Sequence, residues 1–301
     1  MVKKATKLLI IIIVFFFLSI SACSGLQEEE NASSMFNLVK DIKKTVVFIG
    51  DINKEGIPRF YATGALVKIH NIYHLITAKH IIKDKETGEL KDGKMLVFFN
   101  SKDGNIKSRP ISNAKLELNV NWIFHRNTEV DIAIIPFAID EDEDDMLVIP
   151  DDLFLLSNNI CELYDVFFLS YQPGIELIKK ISPIFRSGII SIINDNKTFY
   201  IDASAFPGNS GSPVFTKPSP ITFRKDGISI GGDQIGGKFI GIIGEYITYR
   251  EVAISAQTGR ARVIFEENTG LSKVWSIDFI NEIIDSDEFK EQLERIQKKI
   301  N

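Results

Sequence analysis

From Thr45 onward, hydrophobic residues occur in short runs separated by turn residues. The main runs are VVFIGDI, FYATGALVKI, YHLITA, MLVFF, IAIIPF, DVFFLSY, GIISII, TFYIDA, FIGIIGEYIT and RVIF. Most are short, and β-branched and aromatic residues dominate them, which is typical of strands in all-β sandwiches and barrels. An α/β fold would need amphipathic segments of about ten to fifteen residues between the strands, and the sequence has none before its C-terminus.

A helical repeat appears at the C-terminal end of the chain, over residues 277–301. The apolar residues of this stripe are spaced four, three and four apart: Phe289, Leu293, Ile296 and Ile300. Asp285, with Glu288 three residues later, can cap the start of such a helix. We expect the stripe to pack on the second half of the β-rich region, although a partner-binding helix is an alternative.

Six consecutive acidic residues, DEDEDD, occupy Asp140 to Asp145. Like charges in one block repel each other and stay solvated, so we interpret the run as an exposed connector, with a metal site as the remote alternative. This places a first β unit at residues 43–140, a connector at 141–159 and a second β unit at 160–276.

The first 22 residues have the pattern of a signal peptide. Lys3, Lys4 and Lys7 precede an apolar core, LLIIIIVFFFLSI, that is short for a membrane span. The following Ile20-Ser21-Ala22-Cys23 resembles the bacterial lipobox, which implies cleavage before Cys23 and lipidation of its thiol. Residues 23–42 are polar and predict a tether. We therefore expect a lipid-anchored protein of the bacterial cell envelope that faces away from the cytoplasm; an uncleaved membrane anchor is the alternative.

Composition narrows the function. The chain has 301 residues, 45% hydrophobic and 25% charged, which predicts a globular protein. Its net charge is −5, and removal of the three leader lysines makes it −8, so nucleic-acid binding has little support. Once Cys23 is lipidated, Cys161 has no disulfide partner and is expected to be a small buried hydrophobe. We expect no cofactor and no metal ion.

One stretch, FYIDASAFPGNSGSPVF, stops a run of strand formers with small residues. The simplest interpretation is a turn, because Gly, Asn, Ser and Pro favour turns. The alternative is a loop whose glycines let backbone N–H groups surround a reacting atom, with Ser210 as the nucleophile. The stretch alone does not decide between them.

A nucleophilic serine needs a base, and the chain has four histidines: His70, His74, His80 and His125. His80 ends YHLITAKH, which is similar to the T-A-x-H signature of chymotrypsin-like serine peptidases. Asp131 begins DIAIIPF, which resembles the segment that carries the catalytic aspartate in that family. The order His80, Asp131, Ser210 is also the order of that family.

The resemblance covers about residues 43–284 and is strongest to bacterial members such as the glutamyl endopeptidases, which share GNSGSPVF, and HtrA-like peptidases without a PDZ domain. It implies two antiparallel Greek-key β-barrels with the site in the cleft between them, followed here by the C-terminal α-helix. It also implies a Ser-His-Asp endopeptidase acting on polypeptide substrates, with the backbone N–H groups of Gly208 and Ser210 as the oxyanion hole.

The sequence departs from the family at two positions. Asn209 replaces an aspartate that pairs with a newly cut N-terminus in zymogen-activated relatives, so no such activation is expected. Gly244 replaces a serine that supports the catalytic carboxylate, and Asp131 is then expected to rely on backbone N–H groups near Lys79 and His80.

The family also implies the pocket for the residue before the cut bond. Its members here are Ser204, Ala205, Gly244, Glu245 and Tyr246. None of the floor residues is charged, and we expect Glu245 to repel acidic residues, so the pocket predicts uncharged, small to medium apolar side chains. The insertion 217–238 could cover the cleft.

Two other classes of function remain open at this stage. A catalytically silent relative could serve as a lipid-anchored binding protein, and a lipid-anchored structural protein would need no triad. The three motifs in family order favour the peptidase.

Overall fold

The computed structural model describes residues 39–175, 180–217, 221–224, 227–230 and 237–300. Its contacts divide the chain into residues 1–43 and residues 44–301, and the account below concerns the second unit. The predicted signal peptide, the lipobox with Cys23 and most of the tether lie outside the described residues. Each helix within the described ranges is too short or too polar to cross a membrane.

The first β unit is an antiparallel sheet with one parallel addition. Its strands are β1 Val46–Ile52, β2 Pro58–Ile69, β3 Ile72–Thr77, β4 Leu96–Asn100, β5 Ile106–Pro110, β6 Ile123–Phe124, β7 Ala133–Pro136 and β8 Ile149–Pro150. They are arranged in the order β5-β4-β1-β2-β3-β7-β6, and β8 pairs with β2 in parallel. Two short helices, α1 Lys79–Ile82 and α2 Ile111–Leu118, connect them.

The second β unit is a closed barrel. Its strands are β9 Asp165–Ser170, β10 Ile184–Ile193, β11 Thr198–Asp202, β12 Pro213–Thr216, β15 Phe239–Ile254 and β16 Ala261–Ser276. The ring runs β10-β11-β16-β15-β12-β9 and closes through the β9–β10 pair. A separate hairpin, β13 Ile221–Arg224 with β14 Gly227–Ile230, lies within the predicted insertion. The predicted all-β class with two antiparallel β units is confirmed.

Each β unit has its own hydrophobic core. Val47, Leu66 and Ile135 are completely buried in the first, and Phe168 and Val214 in the second. These residues come from the short apolar runs of the sequence, because side chains that alternate along a strand bring one set inward. The core residues fix the strands whose ends carry the site.

The C-terminal segment forms two helices, α3 Ile277–Ile284 and α4 Asp287–Ile300. The hydroxyl oxygen of Ser286 accepts the N–H of Phe289 at 3.3 Å, so Ser286, and not the predicted Asp285 with Glu288, caps α4. The prediction that the stripe packs on the second β unit is also wrong. The Phe289 ring stacks on His74 of β3, and Ile296 lies in the first core. α3 packs on β15 and β16 of the second β unit. α4 packs on the first β unit instead.

Two other residues differ from expectation. Asp144 of the acidic run is buried rather than solvated, because its carboxylate pairs with Arg109 at 3.0 Å and accepts the Asp140 N–H. Cys161 is a free thiol that is only partly buried, and burial raises its pKa. Within the described ranges, no cluster of three or more His, Cys, Asp or Glu residues could hold a metal ion.

Candidate active site

His80 and Asp131 form the best-defined polar pair of the site. His80 lies in α1, immediately after β3, and its Nδ1 is 2.6 Å from Oδ2 of Asp131. The backbone N–H of His80 donates to the other carboxylate oxygen at 2.8 Å. One carboxylate therefore holds both the ring and the main chain of His80. The second bond is the backbone contact that the sequence predicts.

The strand register explains why these two residues meet. β3 and β7 are antiparallel, with Thr77 opposite Ala133. His80 lies three residues after Thr77 and Asp131 lies two residues before Ala133, so the pairing brings both segments to the same end of the sheet. The buried neighbours Val130 and Ile132 anchor the segment that carries the carboxylate.

The environment keeps Asp131 ionised. Burial is the largest influence and would raise the pKa of its carboxyl group, but the hydrogen bonds from His80 together with the attraction of nearby positive charge hold the pKa below its ordinary value. An anion at Oδ2 fixes the ring proton on Nδ1. This leaves Nε2 as the nitrogen that can accept a proton.

The surroundings of two other histidines, His74 and His125, differ from those of His80. His74 is buried against Phe289, and its Nδ1 lies 3.0 Å from the Ile72 carbonyl. His125 is also buried, with its Nε2 2.8 Å from a Glu282 carboxylate oxygen. Neither lines the cleft that holds Ser210.

Ser210 lies on a tight loop between β11 and β12. The N–H of Asn209 donates to the Phe206 carbonyl at 2.9 Å, which closes a four-residue turn. Pro207 and Gly208 occupy its central positions, and Gly208 has a φ of 97°. Proline followed by a residue with positive φ is typical of a type II turn. A Cβ on Gly208 would also lie 2.8 Å from the Tyr171 ring, so glycine is required there.

Asn209 holds this loop from inside the protein. Its side chain is completely buried, its Nδ2 donates to the Tyr171 carbonyl at 2.5 Å, and its Oδ1 accepts the Phe206 N–H at 2.9 Å. A neutral amide thus satisfies both of its hydrogen-bonding groups without a charged partner.

Thr63 is a site residue that the sequence analysis missed. It is completely buried on β2, and its hydroxyl donates to the Gly208 carbonyl at 2.8 Å and accepts the Tyr171 N–H at 3.0 Å. Its backbone N–H donates to the Ser210 carbonyl at 3.0 Å. One threonine of the first β unit therefore fixes the loop of the second unit that carries Ser210.

Gly211 allows the loop to approach β2 and β3. It has a φ of 84°, and a Cβ there would lie 2.2 Å from the Thr63 carbonyl oxygen and 2.3 Å from the Thr77 hydroxyl oxygen. The Thr77 hydroxyl in turn donates to the Thr63 carbonyl at 2.8 Å. The threonine of the TAKH motif thus supports the interface between the two β units.

One cleft is lined by His80, Asp131 and Ser210. Within the described part of the chain, no hydrogen bond joins the His80 ring to the Ser210 hydroxyl. Catalytic hydrogen bonds are often long in free enzymes and shorten when substrate binds. The three residues therefore share a cleft, and one of the two contacts expected of a triad is already formed.

The backbone N–H groups of Gly208 and Ser210 have no acceptor among the described residues, although the N–H groups of Asn209 and Gly211 do. These two N–H groups are therefore available to donate to a ligand oxygen. An oxyanion hole needs donors of this kind.

Packing against Trp275 explains why a glycine occupies position 244. A Cβ at this position would lie 2.5 Å from Nε1 of Trp275, so the indole occupies the space that a serine side chain would need. Trp275 lines a second cavity together with His80 and Asp131. The departure from the family at Gly244 thus accompanies a bulky neighbour that lines the same cavity as Asp131.

The structure brings only part of the predicted specificity pocket to Ser210. Gly244, Glu245 and Tyr246 line its cleft, whereas Ser204 and Ala205 do not. Tyr246 packs against the core cluster that contains Ala205. Glu245 lies 3.5 Å from the Lys273 ammonium, which offsets the negative charge expected to repel acidic residues.

A closed antiparallel barrel beside a second antiparallel sheet, with the serine loop between them, is the architecture of chymotrypsin-like proteins. The chain belongs to the family of trypsin-like peptidase domains, whose profile matches residues 62–218, just over half of the chain. The crystal structure of the serine endoprotease from Yersinia pestis is similar, with 14% identity and a TM-score of 0.44. The match covers 84% of this chain and 65% of that chain. No curated protein matches the chain.

Proposed function

We propose that the chain is a serine endopeptidase that hydrolyses polypeptides through an acyl-enzyme. The observation that carries the proposal is the 2.6 Å contact between His80 Nδ1 and Asp131, in the same cleft as Ser210. A histidine oriented by a carboxylate beside a serine is the arrangement that activates a hydroxyl for acyl transfer.

In this mechanism, Ser210 Oγ attacks the scissile carbonyl while Nε2 of His80 takes the hydroxyl proton. Asp131 remains ionised, holds Nδ1–H and stabilises the imidazolium that forms. His80 then gives the proton to the leaving amine, and water enters by the same steps to release the acid. Substrate binding completes the contact between His80 and Ser210.

The free N–H groups of Gly208 and Ser210 stabilise the oxyanion of the tetrahedral intermediate. Removal of one such donor typically costs about 3 kcal/mol of transition-state stabilisation. Thr63 and Asn209 hold these donors in place, because both bond to the loop that carries them.

The proposed pocket is neutral. Tyr246 lines it, and Glu245 is paired with Lys273. We expect uncharged, small to medium apolar residues before the cut. The chain then shares the loop sequence GNSGSPVF with glutamyl endopeptidases but not their preference for glutamate.

The proposal is tested by replacing Ser210, His80 and Asp131 with alanine, singly and together, and measuring casein hydrolysis. Each single change should remove nearly all activity, and the triple change should lose little more, because triad members act as a unit. Hydrolysis by the Ser210→Ala chain at the wild-type rate would exclude this mechanism.

Membrane anchoring is a separate part of the proposal. The lipobox-like Ile20-Ser21-Ala22-Cys23 supports a lipid on Cys23 that holds the peptidase outside the cytoplasm, since several acyl chains anchor a protein firmly. Cys23→Ala should abolish palmitate incorporation and release the protein from membranes. Unchanged labelling and fractionation would contradict the anchor without affecting the peptidase assignment.

A further inference from the structure

β15 and β16 are the longest strands, and their outer parts leave the barrel as a two-stranded ribbon in which they pair only with each other. β12 pairs with β15 only as far as Ile242, and β11 pairs with β16 only from Leu271 onward. Residues 249–254 and 261–267 are all exposed. Within the described ranges, therefore, no other part of the chain buries the ribbon.

The outer half of the ribbon, residues 252–265, is apolar on both of its faces. Val252 lies opposite Ile264, and Ala253 lies opposite Val263. Because opposite residues share a face and successive residues alternate between faces, these two pairs lie on different faces of the ribbon. The large apolar side chains of the outer half, each at least 45% accessible, are Val252, Ile254, Val263, Ile264 and Phe265.

An exposed ribbon of this kind needs an apolar environment on both sides. Clustered apolar residues mark surfaces that bind a protein or a membrane. A protein that packs on one face leaves the other face in water, and a second copy that pairs along an edge of the ribbon covers neither face. The interface of a lipid bilayer, in contrast, surrounds a hairpin that inserts into it. The two-sided pattern therefore favours a membrane.

The charges of the ribbon favour the same partner. The sequence contains no carboxylate between residues 252 and 265, whereas Arg260 and Arg262 lie there and are exposed. The acidic residues of the ribbon begin outside this half, where Glu266 pairs with Arg250 at 2.8 Å. The planar guanidinium of arginine binds phosphate well, and cationic side chains are attracted to anionic lipids. The outer half is thus both apolar and cationic.

The backbone limits how deeply the ribbon can enter a bilayer. Its outer edges carry unpaired N–H and C=O groups, which are costly in hydrocarbon but remain solvated among lipid headgroups. The tip, residues 255–260, is also polar and reads SAQTGR. Four strand steps, or about 13 Å, separate Arg250 from Ile254, so the ion pair stays in water when the tip enters by the 5–10 Å (approximately) typical of interfacial segments.

We infer that the outer half of the ribbon inserts into the headgroup layer of a membrane that contains anionic phospholipids. Arg260 and Arg262 bind lipid phosphates, and the apolar side chains of both faces reach the boundary with the acyl chains. This contact is separate from the lipid proposed on Cys23 and goes beyond the peptidase function. Thr248 lines the cleft of Ser210, so the contact holds that cleft within about 20 Å of the membrane, six strand steps from the tip.

A tryptophan reporter tests this in the full-length chain. Phe265→Trp places an indole in the outer half, whereas Tyr249→Trp places one on the same ribbon beyond the ion pair. The native Trp122 and Trp275 are buried and provide a constant background. The vesicles contain equal parts of phosphatidylglycerol and phosphatidylcholine, with bromine on the acyl chains as the quencher.

The emission of the Phe265→Trp chain should shift to shorter wavelength and be quenched by the brominated lipids, because its new indole lies in the inserted half. The emission of the Tyr249→Trp chain should show neither change. Absence of quenching in the Phe265→Trp chain, or equal quenching in both chains, would overturn the inference.

The arginines are tested in the Phe265→Trp chain by Arg260→Gln with Arg262→Gln. Each arginine near an anionic surface contributes about fivefold to binding, so the ratio of quenched to unquenched indole should fall roughly thirtyfold. Arg126→Gln with Arg295→Gln is the matched control, because it removes the same charge from exposed positions outside the ribbon. This control should retain the quenching. An equal fall in both variants would show that net charge, and not the ribbon, attracts the lipid.

Insertion of both faces is tested by Ile254→Ser with Ile264→Ser in the Phe265→Trp chain. Ile264 lies on the face opposite to Phe265, so the quenching should fall although the reporter itself is unchanged. Unchanged quenching would contradict a contact that involves both faces. A shift to shorter wavelength that appears without vesicles and grows with protein concentration would also overturn the inference, because the occupant would then be a second copy.

The Ser210→Ala chain separates this inference from the proposed function. With Phe265→Trp added, it should be quenched as strongly as the chain that keeps Ser210. If that holds while the wild-type chain cleaves no casein, the membrane contact stands and the peptidase assignment fails. If the wild-type chain cleaves casein but the Phe265→Trp indole stays unquenched, the ribbon inference alone fails.

Discussion

Thr63→Val tests whether β2 fixes the nucleophile loop. The change keeps the shape of a completely buried side chain but removes the hydroxyl that donates to Gly208 and accepts from Tyr171. Two buried backbone groups then lose a partner, and each such loss costs about 1–3 kcal/mol. We expect a total loss of about 2–6 kcal/mol in the free energy of unfolding.

Activity should fall as well, because Gly208 supplies one of the two free N–H groups beside Ser210. A fully misplaced oxyanion donor typically lowers kcat by about 10²–10³-fold. Since the backbone bond from Thr63 to Ser210 remains, a kcat decrease of about ten- to a hundredfold is expected, with a smaller change in KM.

Urea denaturation and peptide turnover measure the two effects, and Thr63→Ser is the matched control. The serine keeps the hydroxyl and loses only a methyl group, which costs about 0.5–1.5 kcal/mol. If Thr63→Val unfolded at the wild-type urea concentration with unchanged kcat, the loop would not depend on this contact. Equal losses in both variants would show that the site responds to any change of the side chain, and not specifically to loss of the hydroxyl.

Three further outcomes are expected. The neutral amide of Asn209 already bonds to the Phe206 N–H and the Tyr171 carbonyl, so the loop needs no charged N-terminus as a partner. Chains that begin at any residue between 24 and 39 should therefore have equal peptide turnover, and a requirement for one defined N-terminus would contradict this. Tyr246→Gly should enlarge the pocket and shift cleavage in a peptide library from small towards large apolar residues before the cut. A preference of the wild-type chain for Arg, Lys or Glu before the cut would show that the pocket is misassigned. Burial lowers the pKa of His74 from 6.5 to about 4, so the unfolded chain binds the proton more readily than the folded chain does. About 3 kcal/mol of the free energy of unfolding should therefore be lost as the pH falls from 6.5 to about 4. If the denaturation midpoint of His74→Phe fell with pH as much as that of the wild type, His74 would not be the cause.

The sequence predicted those features that depend on local patterns. Short apolar runs such as IAIIPF became β strands, and the segments carrying His80 and Asp131 meet because β3 and β7 pair in register. These predictions needed only the strand period and the motif residues.

Features that depend on distant contacts were not predictable in this way. Thr63 bonds to Gly208 across 145 positions of the chain, and nothing in YATGALVKI distinguishes it from an ordinary strand threonine. The docking of α4 on the first β unit depends likewise on the contact of Phe289 with His74. Trp275 beside Gly244 required the barrel geometry, because its indole reaches across from a neighbouring strand.

Covalent labelling of Ser210 tests the central claim most directly. The full-length chain is treated with a fluorescent fluorophosphonate, which reacts with activated serine nucleophiles, and the adduct is located by mass spectrometry. We predict one adduct, on Ser210, no labelling of the Ser210→Ala chain, and labelling that is at least about 10³-fold slower in His80→Ala. A folded wild-type chain that stays unlabelled, or a Ser210→Ala chain that labels at the wild-type rate, would contradict the assignment of Ser210 as the nucleophile.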